Sequence, residues 1–248
     1  MEFLTTPAGR RIAFRRRAGQ GPGVVFLGGF KSDMEGTKAQ ALDAWAAAAG
    51  RAFLRFDYSG HGSSAGAFEA GAIGDWAADA MAVVAALTTG PQVLVGSSMG
   101  GWIALLVARA MPARVAGLVG IAAAPDFTED LIWAGMGADD RARLWAEGRI
   151  ERPSDYADAP YVYTRRLIED GRRHLVLRAP LPLPFPVRLL QGTADADVPV
   201  DVALRLLAHA TGPDIRLMLV KGADHRFSTP DCLRLIETAV AEVSQPDG

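Results

Sequence analysis

The stretch Gln92-Val-Leu-Val-Gly-Ser-Ser-Met-Gly-Gly-Trp102 decides how this chain is read. It runs from an apolar, β-branched segment straight into the start of an apolar helix, and Gly96-Ser97-Ser98-Met99-Gly100 within it fits G-x-S-x-G. A strand that turns directly into a helix strains its central residue and crowds the positions two before and two after it. Glycine at 96 and 100 relieves that crowding, and Gly101 eases it further. An ordinary helix cap would want a serine there but has no need of flanking glycines. The pattern therefore selects Ser98 over Ser97 as a candidate nucleophile.

Outward from this turn, short β-branched runs alternate with longer amphipathic stretches, the signature of parallel strands joined by crossover helices. Strands are predicted at 23–27, 52–56, 92–95, 115–121, 187–190 and 215–220. Helices are predicted at 36–48, 71–87, 99–110, 200–210 and 230–243. The expected fold is α/β, a mostly parallel sheet with helices on both faces, whose binding edge lies at the strands' C-terminal ends. One segment breaks the alternation. Between Ala124 and Pro186 no strand is evident, and aromatic and bulky apolar residues sit among charged helix formers before a proline-rich connector. This predicts a core of residues 1–123 and 187–248 with a helical cap inserted at 124–186. The cap carries Phe127, Ile132, Trp133, Met136, Trp145, Tyr156, Tyr161 and Tyr163; most of these would hold it together, and Trp133, Met136 and Tyr161 are candidates for lining a pocket.

A serine hydroxyl needs a base, and the base needs a carboxylate to orient it. There are four histidines. His61 follows the second predicted strand, His174 lies in the cap and His209 in a helix, whereas His225 follows the last strand, on a loop at the correct edge and late enough for the order serine, acid, histidine. For the acid, Gln191-Gly-Thr-Ala-Asp-Ala-Asp-Val-Pro199 offers Asp195 and Asp197. Asp195 is preferred, with Asp197 as a helix-terminal charge, and Asp224 ranks third because a chain neighbour of His225 rarely reaches the ring nitrogen it must hold. Acyl transfer also needs donors to an oxyanion. The backbone N–H of Met99 is one candidate, and that of Phe30, in the glycine-rich loop Leu27-Gly-Gly-Phe-Lys-Ser-Asp33, is the other. The following Gly-Thr-Lys has the wrong order and spacing for a phosphate loop.

These motifs together resemble the α/β-hydrolase superfamily across nearly the whole chain. Gly36-Thr-Lys-Ala39, Arg55-Phe-Asp-Tyr-Ser-Gly60, Val95-Gly-Ser-Ser-Met-Gly-Gly-Trp102 and Asp224-His-Arg226 look like the palmitoyl-protein thioesterase and acyl-glucuronide esterase family and its bacterial relatives. The resemblance implies Ser98, Asp195 and His225 as a triad, in agreement with the residues read singly. The expected activity is hydrolysis of a small-molecule ester or thioester, or of an acylated protein, with no metal and no organic cofactor. A carbon–carbon hydrolase using the same triad and a binding protein on a hydrolase fold are the alternatives. Relatives that open epoxides or release halide carry aspartate at the nucleophile position.

Composition bounds the rest. Half of the 248 residues are hydrophobic, enough for one large domain that buries roughly 70 to 75% of its unfolded surface. With 26 basic and 28 acidic residues the net charge is only −2, which gives no field toward nucleic acid or anionic lipid. The basic cluster Gly9-Arg-Arg-Ile-Ala-Phe-Arg-Arg-Arg17 reads as a solvated N-terminal hairpin. No apolar run approaches the roughly 18 to 20 residues of a membrane span, and neither a signal nor a transit pattern is present. The single cysteine, Cys232, rules out an internal disulfide and reads as a buried helix residue. Cytoplasmic location follows as an expectation, and abundant alanine and arginine point to a bacterial source.

Overall fold

A computed structural model describes residues 1–152 and 160–244. Eight strands form one sheet in the order β1-β2-β4-β3-β5-β6-β10-β12. They are β1 (Glu2–Thr5), β2 (Arg11–Arg17), β3 (Gln20–Leu27), β4 (Arg51–Phe56), β5 (Gln92–Ser97), β6 (Val115–Ile121), β10 (Val187–Gly192) and β12 (Ile215–Val220). The pairs from β4 to β12 are parallel, and β1 and β2 add antiparallel at one edge. All six predicted strands are present. The basic cluster does form a hairpin, but it extends the main sheet: Ile12, Ala13 and Phe14 of β2 are buried, while Arg15, Arg16 and Arg17 reach out to Glu35, Glu2 and Asp43.

Every residue of β5 is buried, as a strand covered on both faces requires. One cover is α1 (Thr37–Ala48) with α7 (Pro230–Val243), whose Leu42, Ala46, Ile236 and Val240 meet Val24, Val93 and Val95. The other is α2 (Ile73–Leu87) with α3 (Met99–Ala110) and α6 (Val200–His209), whose Trp76, Val83, Trp102, Ile103 and Leu206 meet Val25, Leu94 and Leu189. The five predicted helices match these within two residues at each end. α7 starts where Thr229 accepts from the Cys232 N–H and Pro230 fixes the first turn. Cys232 itself is buried and unpaired.

The segment between β6 and β10 departs from expectation. It holds a π-helical turn (Thr128–Trp133), α4 (Ala138–Glu147), β7 (Arg149–Arg152), β8 (Tyr161–Thr164), α5 (Arg165–Gly171) and β9 (Leu181–Pro182). So it is not purely helical: β7 and β8 pair antiparallel, and β9 pairs with β11 (Ala210–Thr211). These strands leave little trace in the sequence because they are only four and two residues long, and in β7 Ile150 alone is buried. Tyr156 lies outside the described residues. α4 closes at Gly148, whose φ of +79° turns the chain into β7. Buried Asp126, near the start of the segment, accepts hydrogen bonds from the Val176 and Leu177 N–H groups and the Arg178 guanidinium near its end. Those bonds tie the two ends of the segment together.

Candidate active site

Ser98 sits between β5 and α3 with φ +53° and ψ −120°, a region few non-glycine residues occupy. The glycines around it are required by contact. A Cβ at Gly96 would lie 2.3 Å from the Gly100 carbonyl oxygen, and one at Gly100 would lie 2.1 Å from that of Leu27. The Ser98 N–H donates to Ile121 O, and Ser98 O accepts from the Gly101 and Ala124 N–H groups. The surrounding strands thus hold the strained turn in place.

Two further loops at the same sheet edge complete the arrangement. His225, between β12 and α7, places Nε2 3.1 Å from Ser98 Oγ. Asp195, between β10 and α6, places its oxygens 2.9 and 3.1 Å from His225 Nδ1. Asp195 also accepts from the N–H groups of Val198 and Asp197 and from Gln191 Nε2. Burial alone would raise this carboxyl, but the bonds from His225, Val198 and Gln191 outweigh it and hold the group below the usual carboxylate range. An ionised carboxylate on Nδ1 fixes the tautomer in which Nε2 is free to take a proton. Of the other two acids, Asp197 gives its N–H to Asp195 and Asp224 accepts from the Phe227 N–H. Asp195, Asp197 and His225 bring three ligand-type atoms within 4.8 Å of one another, with both Asp195 oxygens already accepting hydrogen bonds.

Met99 opens α3 and is buried, so its N–H has no intrahelical acceptor. The glycine-rich loop after β3 lies against the serine: a Cβ at Gly29 would sit 3.6 Å from Ser98 Cβ. Phe30 follows directly, its ring 4.8 Å from Phe68 and 5.8 Å from Phe127.

Ser98 and His225 open into a cavity of about 770 Å³. The segment between β6 and β10 supplies Phe127, Leu131, Ile132, Met136, Tyr161 and Tyr163 to its wall, and the core supplies Ser32, Asp33, Arg226 and Ser228 from loops and Thr37 and Lys38 from the start of α1. The segment's share is mostly apolar and aromatic, with Arg152 its one charged residue among the described residues, whereas the core mixes these polar and ionic groups with Phe26, Phe30 and Val198. Lys38 donates to the Arg226 carbonyl; burial, opposed by the Asp224 charge, pushes its amine down to about 8. Of the three expected pocket residues, Met136 and Tyr161 line the cavity. Trp133 does not: it packs on Trp145 at 4.8 Å with the Arg141 and Arg172 guanidinium groups over its ring. The missed Leu131 and the lining Ile132, Gly135 and Met136 share the spacing of one helical face, a signal the sequence does carry and from which Trp133 is rotated away.

A parallel sheet with a serine on the strand–helix turn, followed in the chain by an aspartate and a histidine at the same edge, defines an α/β hydrolase. Residues 24–237 match the model of the alpha/beta hydrolase family, and the chain belongs to that family; it is a hydrolase. It is 35% identical over 237 residues to the mitochondrial palmitoyl-protein thioesterase ABHD10 of Rattus norvegicus, covering 95% of this chain and 80% of the relative. Among solved structures, a putative hydrolase from Agrobacterium vitis S4 is 42% identical with a TM-score of 0.95, covering 98% of both chains. Mouse alpha/beta hydrolase domain-containing protein 10 is 32% identical with a TM-score of 0.90, covering 98% of this chain and 97% of the other. Among the described residues no helix is long and apolar enough to cross a membrane.

Proposed function

We propose that the protein hydrolyses carboxylic esters or thioesters through an acyl-enzyme formed on Ser98. Ser98 Oγ attacks the carbonyl carbon while His225 Nε2 takes its proton, and the carbonyl oxygen, now negative, is met by the N–H groups of Met99 and Phe30. The tetrahedral adduct expels the alkoxide or thiolate, which takes the proton from His225. Water then attacks the acyl carbon as it loses a proton to the same nitrogen, and the second tetrahedral adduct releases the acid by expelling Ser98 Oγ, which takes that proton back from His225. Asp195 keeps the imidazole turned and balances its charge in both halves.

The observation that carries this reading is the series Ser98 Oγ, His225, Asp195, with contacts of 3.1 and 2.9 Å. The thioesterase named among the relatives supports a thioester among the substrates. We assign the segment 124–186 as a cap whose apolar wall receives the acyl group, an acylated protein or a small acyl ester being the substrate. A reducing interior such as the cytoplasm suits its one unpaired thiol.

The test is a fluorophosphonate probe, followed by a panel of matched oxyesters and thioesters of two to sixteen carbons. Native protein should label at Ser98 and turn over both ester classes, and Ser98→Ala should do neither. An unlabelled native protein, or an active Ser98→Ala, would sink the assignment.

A further inference from the structure

His61 takes no part in the chemistry above, yet it is buried in the loop after β4, beside the loop that carries Phe30. Its Nε2 accepts a hydrogen bond of 3.2 Å from the Lys31 N–H, and its Nδ1 lies 3.3 Å from Ser59 O. These partners assign the proton to Nδ1 and leave Nε2 as a pure acceptor. Tyr58, Phe68 and Trp76 surround the ring edge-to-face at 5.0 to 5.5 Å. Burial pushes the imidazole down to about 4, against the hydrogen bond to Ser59 and the Asp79 charge that favour protonation, so it is neutral over the working pH range.

We infer that His61 is a positioning residue for the oxyanion site, holding the peptide plane between Phe30 and Lys31 so that the Phe30 N–H keeps its aim. The inference rests on the hydrolase reading above. Lys31 has φ +58°, a conformation a lysine adopts only when its surroundings impose it. The bond to His61 is the constraint on its N–H. The neighbouring plane is held separately: Gly29 O accepts from both the N–H and the hydroxyl of Ser32. In a trans peptide the N–H points opposite to the carbonyl, so this directs the Phe30 N–H away from Ser32. Phe30 is pinned between two fixed planes, and its ring shares Phe68 and Trp76 with His61.

The anchor behind His61 is rigid. Trp76 of α2 donates to Ser59 O, and Asp79 of the same helix accepts from the Ser59 N–H and hydroxyl. The line of support thus runs from α2 through Ser59 and His61 to the loop facing the serine. Asp57 adds a second tether, accepting from the Met34 and Ser63 N–H groups.

The experiment compares native protein, His61→Leu, His61→Gln and His61→Asn on a p-nitrophenyl ester, with a trifluoromethyl ketone as an inhibitor that presents an oxyanion once bound to serine. Removing a whole oxyanion donor costs about 100- to 1,000-fold in kcat, and loosening one should cost about 10- to 100-fold. His61→Leu should lose that much kcat with KM within about 3-fold, and ketone affinity should fall in step. Glutamine can place an oxygen near the Nε2 position and should recover most of both, whereas asparagine is too short and should not. His61→Leu that folds and keeps kcat, or that loses kcat with ketone affinity intact, overturns the inference. Should His61→Leu not fold, the contrast of Gln with Asn decides alone, and equal rates for those two overturn it. Ser98→Ala run alongside separates the failures: if it is active the hydrolase reading falls, and if it is inert while the His61 variants are fast only this inference falls.

Discussion

At the scale of single residues the acid is the assignment with rivals, and its surroundings make it testable. Asp195→Asn keeps the shape of the site but offers His225 a mixed donor and acceptor in place of a carboxylate, and kcat should fall by about 10,000-fold with the fold retained by circular dichroism. Asp197→Asn leaves the backbone N–H to Asp195 in place and should stay within about 10-fold of native; the reverse order of effects would hand the role to Asp197. The neutral His61 has a second consequence. In the unfolded chain its ring titrates near the ordinary 6.5 and in the folded protein at about 4. The folded state therefore resists protonation, and the stability linked to this ring is whole above about pH 6.5, declines as the pH falls and is lost below about 4, some 3 kcal/mol in all. Urea unfolding between pH 7 and 4 should show a shallower decline for His61→Gln than for native protein, and parallel declines would contradict it.

At the scale of elements, the strand–helix turn at Ser98 should tolerate no added methyl. Gly100→Ala puts a Cβ 2.1 Å from Leu27 O, backbone against backbone, and should cost at least about 1 to 3 kcal/mol with loss of fluorophosphonate labelling; native-like urea unfolding would show that the turn has room. This turn was readable because its demands are local. Two glycines, a strand before and a helix after specify it without knowledge of any distant partner, and the same holds for Asp195 and His225 on their turns. β7 and β8 were not readable, since four-residue strands that, among the described residues, pair with each other alone leave no long alternation. β1 and β2 were readable as a hairpin, but the antiparallel joining of β2 to β4 is set by packing beyond the local sequence.

At the scale of the whole molecule, the cavity is a joint product of the sheet edge and the segment laid over it, which is why its lining was only half legible. Met136 and Tyr161 could be named as candidates, but Trp133 could not be separated from them without the packing that turns it onto Trp145. If the apolar wall receives the acyl group, Met136→Trp should fill part of it and shift the best substrate toward shorter chains, with kcat/KM for two-carbon esters within about 3-fold of native. An unchanged chain-length profile would place the acyl group elsewhere. The buried state of Cys232 has a use outside enzymology. A cysteine introduced at exposed Arg143 on α4 would be the one thiol open to a maleimide dye, with no background mutation needed. Binding of an ester to the cavity could then be followed as a change in emission from a single known point on the segment laid over the serine.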